Sequence, residues 1–321
     1  MKNIIAVVVT YNRKKLLTEC LDAILNQDYD VNKIILVDNK STDGTYEYLC
    51  EKKYLENSKI VYKRLNANIG GSGGFYEGMK ESLQYNPDWV WIMDDDTIPT
   101  KTCLKELVSA QEKIDDKISY MASSVYGENG EYMNVPNINL DADNGEYPSW
   151  YKYLANGIVK IKEATFVSLL INADAIKNVG LPVRDYFIWG DDTEYTLRLN
   201  RYYGNSYFIG NSVAIHKRKI AKRLSIYNED NLTRINFYFY MIRNNLLNKK
   251  TYYGMKNCLK FFIGKQAQSF IILFKPKCKY RFKKFVIIHK ALIGFMFKNY
   301  DYNAFKNRLN MDVKYTKEGK I

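Results

Sequence analysis

"DWVWIMDDD", residues 88–96, sets a short apolar run against three consecutive carboxylates. A run this short, rich in Trp, Val and Ile, reads as a buried strand with Asp94, Asp95 and Asp96 at its mouth. The same grammar recurs toward the N-terminus. "NIIAVVVT" (3–10) runs into Tyr11-Asn12-Arg13, "KIILVDN" (33–39) ends in Asp38-Asn39, and "KIVYKRL" (59–65) leads to Asn68 and a glycine-rich stretch. Between the first two lies "KKLLTECLDAILNQ" (14–27), with Leu16, Leu17, Cys20, Leu21, Ile24 and Leu25 at helical spacing. Strand–helix alternation with nearly continuous apolar strands predicts an α/β fold whose sheet is mostly parallel and covered by helices on both faces. In such sheets ligands gather beyond the carboxyl ends of the strands, where these polar residues stand.

The glycine-rich stretch is "NANIGGSGGFYEGM" (66–79), which opens a helix expected to run to about Tyr85. Glycine permits positive φ and close approach, and a helix N-terminus favours an anion, so a nucleotide phosphate is one reading and a tight connection the other. Gly70, Gly71, Gly73, Gly74 and Gly78 fit neither the GxxxxGK[ST] nor the GxGxxG spacing. The convergence of four strand ends favours a nucleotide site.

Toward the C-terminus, residues 126–160 form a polar, turn-rich excursion expected to cover one side of that site. "EATFVSLLINADAIKNVG" (163–180) reads as a strand and a short helix, and "LPVRDYFIWGDDTEYTLRLNRYYG" (181–204) delivers Asp191, Asp192 and Glu194 to a helix start. "SVAIHKRK" (212–219) ends a strand at His216, and from about residue 228 the text is helical. Three adjacent carboxylates repel one another, so Asp94–Asp96 is either a solvated turn or a site for a hard cation such as Mg²⁺ or Mn²⁺. An imidazole added to carboxylates suits Mn²⁺, which sets His216 as ligand against His216 as a structural residue. Asp191, Asp192 and Glu194 either complement the helix dipole or supply a general base. Trp189 and Gly190 before them offer a flat apolar face and close approach for a sugar.

Composition excludes several classes. The chain has 321 residues, 46% of them hydrophobic, enough for a substantial core, and five scattered cysteines without a CxxC pair, which argues against a disulfide framework and for a reducing compartment. The N-terminal apolar run reads as a strand and not as a signal peptide, and no later run reaches the roughly 18 unbroken apolar residues of a spanning helix. Charge is segregated. From residue 217 onward there are 25 Lys+Arg against 5 Asp+Glu, a net of +20, and residues 1–216 carry −7. Basic residues interleaved with Phe, Tyr, Ile and Leu suit an anionic membrane surface. Nucleic acid is not an expected partner, because no recognition motif is present and the carboxylate clusters would repel phosphate.

"VVVTYNR", "ILVDNKSTDGT", "WIMDDDTIP" and "FIWGDDTEYTLRL", in this order across residues 3–216, resemble the inverting glycosyltransferases of family 2, which have the nucleotide-sugar-binding GT-A fold. Within that family the double Gly-Gly pair followed by Phe, the triple Asp, the "WGDDTEY" run and a downstream His look most like bacterial galactofuranosyltransferases. The resemblance implies a GT-A domain over 1–220, with a donor half to about residue 100 and an acceptor half from 100 to 220, followed by a basic amphipathic helical region over 221–321. It implies that Asp38 holds the uracil or ribose end of the donor, with Thr10, Tyr11 and Arg13 nearby. Asn68, Gly70, Gly71, Gly73 and Gly74 line the donor site, with the sugar diphosphate close to the backbone. Asp94 contacts the ribose, Asp95 belongs to the donor site, and Asp96 and His216 hold Mn²⁺ or Mg²⁺. Asp192 is the base that deprotonates the acceptor hydroxyl, and Asp191, Trp189 and Glu194 bind the acceptor.

The implied activity is transfer of galactofuranose from UDP-galactofuranose to a lipid-linked or polysaccharide glycan, by an enzyme lying on the cytoplasmic face of the cell membrane. A transferase using dTDP-rhamnose or a UDP-hexopyranose is the alternative on the same fold, and a nucleic-acid-binding protein using the basic region is a distant one.

Overall fold

In the computed structural model, residues 1–142, 147–218 and 225–297 are described. The chain divides into two compact units, one of Met1–Asp185 with Tyr195–Ala221 and the other of Tyr186–Glu194 with Lys222–Ile321. The expected boundary at 220/221 lies among residues outside those described. A nine-residue segment, 186–194, groups with the C-terminal helices.

The strands of the first unit are β1 (Ile4–Thr10), β2 (Lys33–Asp38), β3 (Ile60–Arg64), β4 (Trp89–Asp94), β5 (Thr97–Pro99), β6 (Ile118–Tyr126), β7 (Tyr132–Met133), β8 (Asn137–Ile138), β9 (Ile158–Glu163), β10 (Leu169–Asn172) and β11 (Asn205–His216). They form one sheet in the order β3-β2-β1-β4-β10-β6-β11-β9-β8, with β5 on β11 and β7 on β6. Its helices are α1 (Lys14–Leu25), α2 (Thr45–Glu51), α3 (Gly70–Ser82), α4 (Cys103–Gln111), α5 (Ala173–Val179) and the body of α6 (Asp191–Tyr202).

The strands β3, β2, β1 and β4 are parallel, as the alternation predicts. Beyond β4 the sheet is mixed: β10 is antiparallel to both β4 and β6, β11 is parallel to β6, and β5 and β9 run antiparallel to β11. Parallel pairing needs a long crossover, usually a helix, and the strand–helix alternation stops after α4, where the 126–160 excursion replaces a helix. Alternate residues of β1 serve opposite faces. Ile4, Ala6 and Val8 cluster with Leu17, Leu21 and Ile24 of α1 and Leu104 and Leu107 of α4, and Ile5, Val7 and Val9 with Phe75 and Met79 of α3.

Register aligns the polar strand ends. Thr10 pairs with Asp38 and Val9 with Asp94, so the ends of β1, β2 and β4 stand side by side. β11 changes register against β6 between Ile209 and Val213, pairing with β9 before this irregularity and with β5 after it. A bulge of this kind bends and re-aims a strand, and here it sets His216 opposite Thr97, one residue past Asp96.

The glycines of α3 answer to the sheet. A Cβ on Gly74 would lie 2.4 Å from Val9 Cγ1, and one on Gly78 would lie 2.4 Å from Val7 Cγ1. A Cβ on Gly73 would meet Ile69 at 2.6 Å. Close helix–strand approach therefore accounts for the glycines at 74 and 78, and at Gly74 it supplies a cause other than the expected diphosphate. Gly70 begins the helix at φ 77, and Gly71 has nothing within 4 Å of its Cβ position.

The second unit contains α7 (Leu232–Tyr252), α8 (Gly254–Phe274) and α9 (Arg281–Phe297). α7 starts where the Asn231 side chain accepts from the backbone N–H groups of Thr233 and Arg234. Its Ile235, Tyr238, Ile242 and Leu246, at helical spacing, pack with Ile272 of α8 and Ile288 and Leu292 of α9.

Gly74→Ala forces the Cβ into Val9 and is expected to destabilise the protein by about 1–3 kcal/mol. Gly71→Ala, which meets open space, is expected to be neutral or stabilising by up to about 1 kcal/mol. Urea unfolding of the two variants separates packing from backbone effects; equal loss in both would sink the packing explanation.

Candidate active site

The carboxyl end of the sheet gathers Thr10, Asp38, Asp94, Asp95 and Asp96. Asp95 is buried, accepting from Thr10 Oγ1 at 2.6 Å and from Arg13 Nη1 at 3.1 Å. Burial pushes its carboxyl up to about 6 against the pull of the Arg13 guanidinium. Arg13, expected near the uracil or ribose, is held on Asp95 and Asp96. Burial works to raise Asp96 as well, but its contacts with His216 and Arg13 outweigh that and hold it below the usual carboxylate range.

Asp94, Asp96 and His216 each place a ligand atom within 4.8 Å of the others. Asp94, assigned above to the ribose, thus joins the pair expected to hold the metal. His216 is buried, its Nε2 3.1 Å from Asp96 Oδ1, and among the described residues that oxygen accepts no hydrogen bond. His216 Nδ1 lies 2.8 Å from Asn134 Oδ1, and Asn134 Nδ2 donates to Thr165 Oγ1 at 3.0 Å. In the neutral imidazole an acceptor at Nδ1 holds the proton there and leaves the Nε2 lone pair for a cation, whereas an imidazolium pairs its charge with Asp96. Two carboxylates and that lone pair repel one another unless a cation joins them, so the donor set fits a hard divalent ion, and one imidazole among oxygens suits Mn²⁺ as well as Mg²⁺.

On the donor side, Asp38 is fully buried and accepts from Ser41 N at 2.7 Å and Tyr62 Oη at 2.6 Å. Burial, reinforced by the bond to Asp38, pushes the Tyr62 phenol well up. Asn39 brackets the start of α3: its Nδ2 donates to Gly70 O at 2.7 Å and its Oδ1 accepts from Ile69 N at 2.9 Å. Asn68 Oδ1 accepts from Gly70 N at 2.9 Å, and Tyr11 is exposed.

Within the second unit, Trp189 packs edge-on against Tyr238 of α7, with centroids 5.2 Å apart. Asp191 is buried, and burial, with the neighbouring Asp192 charge, pushes its carboxyl up to about 7. Asp192 Oδ1 accepts from Thr193 N at 2.7 Å. Glu194, expected to contact acceptor, is instead fully buried and accepts from Tyr252 Oη at 2.7 Å, which makes it an internal anchor.

A family model described as "Glycosyl transferase family 2" matches residues 5–169, more than half of the chain. The chain belongs to glycosyltransferase family 2. Among curated family relatives it is 29% identical over 210 residues to galactofuranosyltransferase GlfT1 of Mycolicibacterium smegmatis, covering 61% of this chain and 65% of that protein. It is 35% identical over 100 residues to abequosyltransferase RfbV of Salmonella typhimurium, covering 30% and 29% of the two chains. The chain thus matches just under two thirds of the length of the galactofuranosyltransferase. Its fold, GT-A, is similar to that of GalNAc-T7 crystallised with UDP, GalNAc and Mn²⁺, at 15% identity and a TM-score of 0.61 over 96% of this chain and 58% of that one. It is also similar to S. aureus TarS, at 14% identity and a TM-score of 0.54 over 85% and 44% of the two chains.

Two asparagines of this family 2 chain escape a motif reading: Asn134 and Asn244. Asn134 lies in the polar excursion, where an Asn signals only a turn, and its φ of 49 is a turn-like value. Its link to His216 spans 82 positions in sequence, so no local pattern encodes it.

Asn134→Gly tolerates the positive φ but removes the acceptor on His216 Nδ1. It is expected to weaken Mn²⁺ binding about 10-fold or more, and Asn134→Asp, which restores an acceptor, to retain it. Calorimetric titration of Mn²⁺ with UDP present is the check; equal affinity in the Gly variant would remove Asn134 from the metal site.

Proposed function

We propose that the chain is an inverting glycosyltransferase that moves galactofuranose from UDP-galactofuranose to a hydroxyl of a lipid-linked or polysaccharide glycan. The observation that carries this reading is the convergence of Asp94, Asp96 and His216 at the carboxyl ends of β4 and β11 in the mixed GT-A sheet. The donor sugar is supported by relatives named galactofuranosyltransferase. Asp94, Asp96 and His216 hold the divalent ion. When bound, it neutralises negative charge on the diphosphate.

Asp38, with Thr10, Tyr11, Arg13 and Asp95 about it, and Asn68, Gly70 and Gly71 at the start of α3, orient the nucleotide. Asp192 takes the proton from the acceptor hydroxyl as its oxygen bonds to the anomeric carbon. The bond from that carbon to the diphosphate oxygen breaks with its electron pair leaving on UDP, and attack from the opposite face inverts the anomeric configuration. Asp191, pushed up to about 7, is suited to hold a proton beside Asp192 and donate it to an acceptor oxygen, with Trp189 as the sugar platform.

A place on the cytoplasmic membrane face is supported by the second unit. Among the described residues no helix is long and apolar enough to cross a membrane. Met255, Leu259, Ile263, Phe270, Ile271 and Phe274 of α8 are nonetheless exposed. Apart from the adjacent Phe270 and Ile271, they follow one another at intervals of about one or two helical turns, and residues 231–297 contain no Asp or Glu. Such a stripe with lysines and no opposing acid suits an anionic bilayer, each Lys or Arg near the surface contributing about 1 kcal/mol. The parts of the basic region at 219–224 and 298–321 lie outside the described residues.

With Mn²⁺ present, UDP is expected to raise the melting temperature and UDP-galactofuranose to raise it further, since a ligand of the native state stabilises it. A larger rise with dTDP-rhamnose or UDP-galactopyranose would overturn the donor, and no rise with any nucleotide would overturn the enzyme. In flotation with phosphatidylglycerol vesicles the protein is expected to rise with the lipid, and Ile263→Glu with Ile271→Glu to leave it at the bottom. Wild-type protein that stays behind at moderate salt would end the membrane reading.

A further inference from the structure

The residues before Asp191 are built against backbone preference. Phe187 has φ 64, Trp189 φ 60 and Gly190 φ 92, and for bulky residues such as Phe and Trp the left-handed region is an outlier. Conformations of this kind persist only where the surroundings over-determine them.

Here the surroundings are side-chain amides of α7. Asn244 Nδ2 donates to the carbonyls of Tyr186 at 3.0 Å, Ile188 at 3.2 Å and Trp189 at 2.7 Å. Asn248 Nδ2 donates to Gly190 O at 2.8 Å, and Arg243 Nη2 adds a bond to Tyr186 O at 3.3 Å. The donors are themselves oriented. Arg243 Nε donates to Asn244 Oδ1 at 2.8 Å, so the amide must turn its NH₂ to the loop, and Tyr186 Oη donates to Asn248 Oδ1 at 2.8 Å with the same effect. Arg243, Asn244 and Asn248 are all buried. Gly190 allows the close fit, since a Cβ there would lie 3.1 Å from Asn244 Cβ, and Phe187 stacks on Tyr240 with ring centroids 4.7 Å apart.

An amide this well satisfied explains how the loop is held but not why two aromatic residues occupy left-handed positions that glycine would fill without strain. The arrangement fixes the backbone on which Asp191 and Asp192 open α6. We propose that Asn244, oriented by Arg243 and assisted by Asn248, is a positioning residue for Asp192, so that the C-terminal helices take part in catalysis by fixing the backbone that carries the base. This rests on the reading of Asp192 as general base.

The test uses the full chain with Mn²⁺ and UDP-galactofuranose. Asn244→Asp keeps the oxygen that Arg243 contacts and removes both N–H donors. It is expected to lower kcat about 100-fold, the scale of a misplaced reacting group, with UDP–Mn²⁺ affinity by calorimetry within about twofold of wild type. Combined with Asp192→Asn it is expected to add no further loss, since two changes acting on one group are not additive. Asn248→Ala, which releases only Gly190 O, carries the same test in a milder form, with about a 10-fold loss, if the first variant does not fold. Wild-type kcat in both variants, parallel loss of donor affinity, or a loss that multiplies that of Asp192→Asn would each overturn the proposal. Failure of the underlying reading looks different: Asp192→Asn would then keep full activity whatever Asn244 does.

Discussion

Like charges at the end of a buried strand set the terms for the first unit. Asp94, Asp95 and Asp96 follow directly on β4, a strand whose other residues are buried, and water alone does not solvate them: Asp95 and Asp96 are both buried. Each therefore needs its own compensation. Thr10 and Arg13 come from the end of β1 to Asp95, and Arg13 and His216 to Asp96. This requires β1 beside β4 in the observed register, and it requires β11 to leave β9 and pair with β5 so that His216 arrives. The mixed half of the sheet is thus a means of bringing one imidazole to a cluster built by the parallel half.

The parallel half was legible in the sequence because its physics is local. An apolar run of five to seven residues, a helix-period segment and a polar strand end repeat within about thirty residues, and parallel pairing follows from the crossovers. The strand ends could be named for the same reason, and Asp94, Asp96 and His216 do converge. The mixed half was not legible, since the register change in β11 against β6 and the pairing of β5 with β11 join segments far apart in the chain.

The glycines show how a correct local reading can carry the wrong cause. Close approach at the stretch from Gly70 to Gly78 was evident in the composition, and the structure contains it. At Gly74 and Gly78 the approaching group is the β-branched side chain of β1, Val9 or Val7, because a helix lies on a sheet most closely where it lacks Cβ atoms. Sequence alone offers a phosphate or a tight connection here, and does not name the valine. What separates them is the direction of each missing Cβ, which depends on the helix rotation that Phe75 and Met79 set by burying themselves on the same sheet face.

Asparagine accounts for much of what a motif reading omits, and for one physical reason. Its amide both accepts and donates on a short, stiff stem, so a single side chain can fix a ring tautomer or hold a backbone in an unfavoured conformation. Asn134, bonded also to Thr165, faces the His216 ring, and Asn244 does the second, with Arg243 setting its orientation. Asn39 does related work by gripping both sides of the helix start at Ile69 and Gly70. At Asn244 a third group, the donor-only Arg243 guanidinium, fixes which end of the amide faces the loop, and without it the amide could flip and present an acceptor where a donor is required. Aspartate supplies only the acceptor when ionised and glutamine loses the short reach, so neither provides the pair of donor and acceptor that the Asn244 loop uses. Carboxylates announce themselves in a sequence by their charge, whereas the amides that orient them look like ordinary turn and helix residues.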